Sequence, residues 1–433
     1  MWINGQFKIF YKILLNMEKS EKVIIIGAGQ AGLSVSYYLT NLKVPHLILE
    51  KGSIGNSWKS GRWDSFCLVT PNWTINLPGK PYAGEDKFGF MKRDDFVKYL
   101  EDWAESFCAP IKENVEVKNI SGKPGLFKIT TNIGTYISEN VVIATATYQK
   151  PRMPNFINNL PKNINFFHAE TYKNPQQIKS KSVLVIGSGQ TGCQIVDDLL
   201  RENFNIYFSV SSNGRLPRTY RGKDCIEWQN DMLMLDRTPD MLEKSSDRFK
   251  GDPHLSGRDG GKTLSLHDFR RKGVKLIGKV LEINGFVLKI GRNVESSIKF
   301  SDSFALDFYK KIDEHIDKKN INAPLPSEQD YFGFKDEGDD PIIEIDKLDL
   351  QKKNISTIIL ATGFSFDFNW VNFPILDDFG YPITKNGETE IQGIYFCGLN
   401  WMNKRKSGII WGVGEDAEIV SNSLYKNLQK MYA

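Results

Sequence analysis

Two dinucleotide-binding Rossmann-like α/β domains, the second inserted in the first, are the fold class this sequence predicts, and three observations predict it. A glycine signature occurs twice: Val23-Ile24-Ile25-Ile26 leads into Gly27-Ala28-Gly29-Gln30-Ala31-Gly32, and Val183-Leu184-Val185-Ile186 into Gly187-Ser188-Gly189-Gln190-Thr191-Gly192. Each copy follows an apolar, β-branched run that reads as a buried parallel strand and precedes a helical pattern. Two further apolar runs, Val141-Val142-Ile143-Ala144-Thr145 and Thr357-Ile358-Ile359-Leu360-Ala361-Thr362-Gly363, end alike in Ala-Thr and mark where the chain would cross between domains. A single GxGxxG says little. Two in the same local context say much more, because the glycines permit a tight turn whose N–H groups approach a pyrophosphate at a helix N-terminus.

In chain order, residues 1–16 read as an amphipathic extension broken by Lys8 and Lys12, with apolar runs too short for a membrane span or a signal sequence. An upstream start before Met17 and a surface helix are both open there. The first domain occupies 17–150. Its strand at 23 is followed by a helical stretch through Leu33, Tyr37, Tyr38 and Leu39 and by a second strand, Leu47-Ile48-Leu49. A loop rich in aromatic, Gly and Pro residues runs to about 90. An amphipathic helix follows at 94–107, since Phe96, Tyr99, Leu100, Trp103 and Phe107 recur at helical spacing. Segments 115–117, 126–129 and 135–137 alternate as antiparallel strands. A Pro-rich crossover at 151–161 opens the second domain, 151–340. Its polar, irregular region 222–272 reads either as a plain surface insertion or as a contact with substrate or nicotinamide. After it Ile342-Ile343-Glu344-Ile345 reads as a strand, and 341–433 returns to the first domain.

The residues beyond each glycine turn differ. Glu50 ends the strand after the first turn, twenty-three positions past Gly27, where this fold places an acid on ribose hydroxyls; it suits the adenosine ribose of FAD or NAD. The matching position after Gly187 is Val210, within Ile206-Tyr207-Phe208-Ser209-Val210-Ser211-Ser212, and Arg215, Arg218 and Arg221 come soon after. A carboxylate there would repel a 2′-phosphate and guanidinium groups would attract it, so NADP fits the second turn better than NAD. The arginines otherwise read as a solvated loop.

Composition allows this organisation. A chain of 433 residues with 40% hydrophobic and 12% aromatic content suits two or three domains. The net charge of +4 is slight, and no basic stripe interleaved with aromatics suggests nucleic acid. Cys67, Cys108, Cys193, Cys225 and Cys397 form no CxxC or other close pair, which favours a reducing compartment and argues against a disulfide framework or a zinc site. Disulfide-reducing flavoenzymes need two thiols held together, so that subclass is set aside. The expectation is a cytoplasmic protein with no metal and no stable membrane insertion. Oligomeric state is hidden, with a homodimer left open.

The glycine motifs stand with Glu50-Lys51, Gly55-Asn56-Ser57-Trp58, and Arg62-Trp63-Asp64-Ser65 leading into Leu68-Val69-Thr70-Pro71-Asn72-Trp73. Further on come Ala361-Thr362-Gly363-Phe364, Arg405-Lys406-Ser407-Gly408 and Gly412-Val413-Gly414-Glu415-Asp416-Ala417. In these motifs, from about Lys22 to the C-terminus, the chain resembles the flavin-containing monooxygenases, class B flavoproteins that use FAD and NADPH, and especially a bacterial branch of FAD/NAD(P)-dependent oxidoreductases. The resemblance implies cofactor contacts from Gly27, Gly29, Gln30, Gly32, Glu50, Lys51, Trp58, Asn72, Val117, Ala144 and Thr145. It implies others from Gly187, Ser188, Gly189, Gln190, Thr191, Ser211, Ser212, Arg215 and Arg218, and from Gly363, Gly398, Gly408 and Ile409. Segment 395–414 should close over the flavin, with a helix beginning near Gly412.

Two positions depart from the family. Its FxGxxxHxxx(F/Y)K fingerprint survives only as His168-Ala169-Glu170-Thr171-Tyr172-Lys173, with Lys162 and Ile164 in place of the aromatic residue and the glycine. The first crossing reads Ala144-Thr145-Ala146, with alanine in place of the usual glycine.

The chemistry implied is hydride transfer from nicotinamide to flavin, oxygen addition as a C4a-(hydro)peroxyflavin, and oxygenation of a small N-, S- or carbonyl-containing substrate. The protein's share is to keep that adduct dry. Asn72 is the candidate catalytic residue, its amide reaching the adduct or the nicotinamide; turn chemistry after Pro71 is the alternative. Trp63, Phe66, Trp73, Trp401 and Trp411 are core or line a substrate cavity, and His168 is a hydrogen-bonded loop residue or a mechanistic one. Rival functions are an NADPH oxidase or reductase passing electrons to oxygen, a quinone or a protein acceptor, and a flavin-binding protein without turnover.

Overall fold

The computed structural model describes residues 19–250, 254–336 and 338–432; the extension read at 1–16 lies outside them. Strand β1 (Lys19–Ile26), helix α1 (Gln30–Asn41) and β2 (Leu47–Leu49) form the first strand, turn, helix and strand unit. Helix α2 (Arg93–Ser106) buries Phe96, Leu100 and Trp103. After β3 (Ile111–Lys112) come three antiparallel strands, β4 (Val117–Lys123), β5 (Leu126–Thr131) and β6 (Gly134–Ile143). The second unit uses β7 (Asn165–His168), β8 (Ser182–Ile186), α3 (Gln190–Arg201), β9 (Asn205–Ser209), β10 (Lys275–Ile277), α4 (Val294–Lys319) and β11 (Ile355–Leu360). Strand β12 (Ile394–Phe396) and helix α5 (Val413–Tyr432) complete the description.

Two sheets result. The first runs β3-β2-β1-β6-β5-β4, and β12 joins it parallel to the C-terminal end of β6. The second runs β7-β11-β8-β9-β10 with every pair parallel. Parallel strands covered on both faces need apolar residues throughout, which is why Val23, Ile24, Ile25, Val183, Leu184 and Val185 are fully buried rather than alternating. Among the described residues, no helix is long and apolar enough to cross a membrane.

The return to the first sheet comes later than the expected boundary at 341. Strand β11 lies between β7 and β8, so the run ending in Ala361 completes the second sheet. An apolar run shows that a strand is buried, but not which sheet it joins. Segment 342–345 is not a strand either. Ile343 is 76% exposed, so that face has nothing to bury it, and Glu344 instead accepts the N–H of Glu295 near the start of α4. The neighbouring Lys347–Asp349 pairs with Val287–Ile290 in a small antiparallel meander.

The two crossings run side by side: Lys150–Pro151 pairs antiparallel with Phe364–Ser365. Just before the first, Ala146 sits at φ +55°, in the left-handed region that the family's glycine would enter freely; an L side chain there costs about 1 kcal/mol or more. Helix α4 lies between Asn293 at its N-cap and Asn320, left-handed at its C-cap, and Ile298, Ala305, Phe308, Ile312 and Ile316 recur at helical spacing and form its buried face.

Candidate functional site

The two glycine turns are built alike. Gly27 and Gly187 sit at φ +104° and +106°, and each packs against the carbonyl of the alanine that ends a neighbouring parallel strand, Ala144 for the first and Ala361 for the second. A side chain at either position would collide with that carbonyl. The middle glycines differ, because a Cβ at Gly29 or Gly189 would meet nothing within 4 Å. That is the open side from which a pyrophosphate can approach the backbone. Helices α1 and α3 begin directly after these glycines, with no side-chain cap and no acid in the first turn, so their leading N–H groups and positive dipole ends fit a phosphate.

Around the first turn, Glu50 is 7% exposed, and its carboxylate accepts the N–H of Ala28 and of Gly52, both at 2.8 Å. It is fixed at the edge of the glycine loop, where a ribose would lie. Gln30, the first residue of α1, accepts from the indole Nε1 of Trp58 at 3.0 Å, and Gly398 packs against Ala31 of the same helix. Thr145 accepts from Gln149. Val117 begins β4 just beyond Val115, whose N–H donates to the Glu50 carbonyl, while Lys51 is exposed. Gly408 and Ile409 follow Lys406, whose ammonium pairs with Asp236 and Glu415.

Around the second turn a hydroxyl takes the place of the acid. Ser188 Oγ accepts the N–H of Ser211 at 2.9 Å and donates to its carbonyl, tying the turn to the end of β9; Ser212 is exposed. Thr191, in the first turn of α3, is half-buried. Gly363 offers its carbonyl to His168 Nε2 at 3.0 Å, and His168 Nδ1 accepts the N–H of Glu170. This arrangement needs a neutral ring with its proton on Nε2, and burial lowers the His168 pKa accordingly.

The rest of the fingerprint is a clasp between the sheets. Tyr172 donates to Asp198 Oδ2 of α3 at 2.7 Å, Ser65 donates to Oδ1 at 2.6 Å, and Arg258 pairs with the same oxygen. Lys173 reaches the carbonyls of Ser60 and Arg62. One buried carboxylate therefore gathers the 58–68 loop, the fingerprint, α3 and the insertion.

The three arginines lie in ion pairs. Arg215 is 1% exposed and pairs with Asp302 at 2.8 Å; Arg218 pairs with Asp224 at 2.7 Å and donates to the Val69 carbonyl; Arg221 pairs with Asp313. Each guanidinium already has a carboxylate, because a buried cation must be compensated, and Arg215 and Arg218 also line a cavity of about 440 Å³. Arg218→Ala is accordingly expected to change the affinities for NADPH and NADH by the same factor and to lower stability by about 3 kcal/mol, through the carboxylate left behind. Paired nucleotide titrations and a urea melt check this, and selective loss of NADPH would restore the 2′-phosphate role.

Asn72 also resolves. It is buried, its Nδ2 donates to the Asp86 carbonyl at 2.9 Å and its Oδ1 accepts the Met91 N–H at 2.7 Å, so the amide staples the 72–91 loop. Trp63 and Phe66 lie in the main core, and Trp73 meets Trp411 edge to face at 4.9 Å. The insertion at 222–272 is no plain surface loop: Leu235, His254, Leu255 and Leu264 are buried, and the Leu235 and Arg237 carbonyls accept N–H groups from Lys406 and Arg405.

The profile of the pyridine nucleotide-disulphide oxidoreductases matches residues 24–226, which include both turns. A CzcO-like oxidoreductase of Geobacillus kaustophilus is 32% identical over 414 residues, spanning 94% of this chain and 99% of the relative. The chain belongs to the CzcO-like oxidoreductases. YUCCA1 of Arabidopsis thaliana, described as an indole-3-pyruvate monooxygenase, is 32% identical over 209 residues, 46% of this CzcO-like chain and 49% of its own. A flavin-containing monooxygenase from Stenotrophomonas maltophilia superposes with a TM-score of 0.62 at 15% identity, over 95% of this chain and 99% of that one, a likeness of fold. The resemblance to flavin monooxygenases read from the motifs thus holds, and the fold is the two-domain flavoprotein type.

Two groups of the CzcO-like site escape a motif search: Asp198, buried mid-helix, and His254 with Leu255, which approach the second turn from the insertion. The signal for the latter was Gly257-Arg258-Asp259-Gly260-Gly261, three glycines in five residues. Gly257 packs on the Leu68 carbonyl and Gly261 on the Phe90 ring, a close approach rather than a solvated loop.

Proposed function

We propose that this oxidoreductase holds FAD at the 27–32 turn and NADP(H) at the 187–192 turn, and that it is a monooxygenase acting on a small molecule with a nucleophilic nitrogen or sulfur or a carbonyl. The FAD domain is the chain to about 150 and again after β11; the NADP domain lies between. The observation that carries the reading is the pair of uncapped glycine turns, one beside a fixed carboxylate and the other beside a hydroxyl. Bound there, the two cofactors supply hydride transfer and oxygen activation.

The chain's own residues do the rest. The N–H groups opening α1 and α3 orient the phosphates, and Glu50 faces the adenosine ribose of FAD. The contacts converging on Asp198 hold the two nucleotide units together and exclude water between them. A thiol relay finds no support: Cys193, Cys225 and Cys397 are buried, and burial pushes the Cys225 thiol up to about 12. Free thiols fit the cytoplasm.

NADPH-driven oxygen uptake, measured with and without catalase over a panel of amines, sulfides and ketones, tests the reading. Less peroxide than NADPH consumed, with an oxygenated product, is the expected result. Full recovery of electrons as hydrogen peroxide for every compound would leave the oxidase alternative standing. A flavin that NADPH does not bleach without oxygen would leave the non-catalytic one.

A further inference from the structure

The insertion grips the second glycine turn by a side chain that opens α3. The Leu255 N–H donates to Gln190 Oε1 at 2.9 Å, and Gln190 Nε2 donates to the Leu255 carbonyl. His254, the residue before, is thereby held against the turn. Its ring is 1% exposed and lies beside the Ser188 backbone, and among the described residues neither Nδ1 nor Nε2 has a hydrogen-bond partner. Burying a polar group without a hydrogen bond is unfavourable, so two idle ring nitrogens beside a phosphate-type turn call for a ligand that completes them.

Among the described residues the charged group facing the ring is Arg215, from the segment after β9, which Asp302 of α4 balances; the first turn of α3 carries no acid. Burial holds the ring neutral, with its pKa brought down to about 4.

We propose that His254 is a phosphate ligand of the second dinucleotide and takes up a proton from solvent as a phosphoryl oxygen arrives at the 187–192 turn. This rests on the two-dinucleotide reading above. An anion placed against the ring favours its charged form, so affinity should rise as pH falls from the bound-state pKa towards the free-state one. The phosphoryl oxygen could come from the pyrophosphate common to NAD and NADP or from the 2′-phosphate of NADP alone.

Calorimetric titration of the flavin-loaded protein with NADP⁺ and, separately, NAD⁺, in two buffers of different ionisation heat at about pH 6.5, counts the protons exchanged. The wild type is expected to take up about one proton more than His254→Gln, and the variant to bind about tenfold more weakly. Any titration of the 2′-phosphate itself is common to both proteins and drops out of the difference. A difference with both nucleotides assigns the pyrophosphate; a difference with NADP⁺ alone assigns the 2′-phosphate. Equal proton counts overturn the proposal whatever happens to the Kd. If neither nucleotide binds the wild type, the two-dinucleotide reading falls instead. If the glutamine variant loses its flavin, His254→Asn replaces it. If that also fails, the histidine ¹⁵N spectrum of the wild type decides, since a neutral ring must become charged when nucleotide is added.

Discussion

Glu50→Ala should yield protein that loses its flavin while still binding NADP⁺ normally. The Glu50 carboxylate is almost fully buried and satisfies two backbone N–H groups, those of Ala28 in the glycine turn and Gly52 beyond the strand. Hydrogen bonds to a charged acceptor contribute about 1.5–3 kcal/mol each, and alanine removes both together with the acid that would meet the ribose. An FAD affinity lowered by about a hundredfold or more is the consequence. Glu50→Gln keeps one acceptor oxygen and should fall between. Flavin content after purification and a fluorescence titration of FAD measure the effect, with the NADP⁺ titration as the control. A fully yellow alanine variant would remove Glu50 from the flavin site.

The second large effect is expected at Asp198, where replacement by alanine strips three partners from one buried carboxylate. Ser65 and Tyr172 lose their acceptor, and Arg258 keeps its charge without a counter-ion. Breaking a buried ion pair from one side typically costs 3–5 kcal/mol, a large share of a stability of about 5–15 kcal/mol. Urea unfolding followed by flavin and tryptophan signals should show the transition move to markedly lower denaturant. Asp198→Asn, which retains an acceptor for Ser65 or Tyr172, should lose less. Two separated transitions would show that the carboxylate joins the units, whereas an unmoved midpoint would dismiss it as a structural centre.

Much of this architecture is legible in the residues. The doubled GxGxxG, the apolar runs before each copy and Glu50 at its offset obey rules that are local in sequence, and they place both turns, both central strands and the acid. The start of α5 at Val413 is equally local, lying just beyond Gly412 where a helix is expected. The features that escape depend on partners far along the chain. Whether Arg218 faces a ligand or a carboxylate depends on Asp224 and on Val69, and neither is marked by a motif. The partners of the Asn72 amide, at Asp86 and Met91, come from a loop that folds back on it and are marked by no motif. The strand ending at Ala361 reads as belonging to the wrong sheet for a related reason, since burial fixes composition while pairing fixes position.

The place of β12 in the first sheet has a temporal consequence. Its residues leave the ribosome only after the whole inserted unit, yet they pair with Val141, Val142 and Ile143, and Gly398 just beyond them packs on the first helix. The earliest nucleotide cradle to be synthesised is therefore the last to be finished, after the whole inserted unit has emerged and can already have folded. A ribosome stalled before Ile394 would display an empty, half-walled cradle beside a complete neighbour.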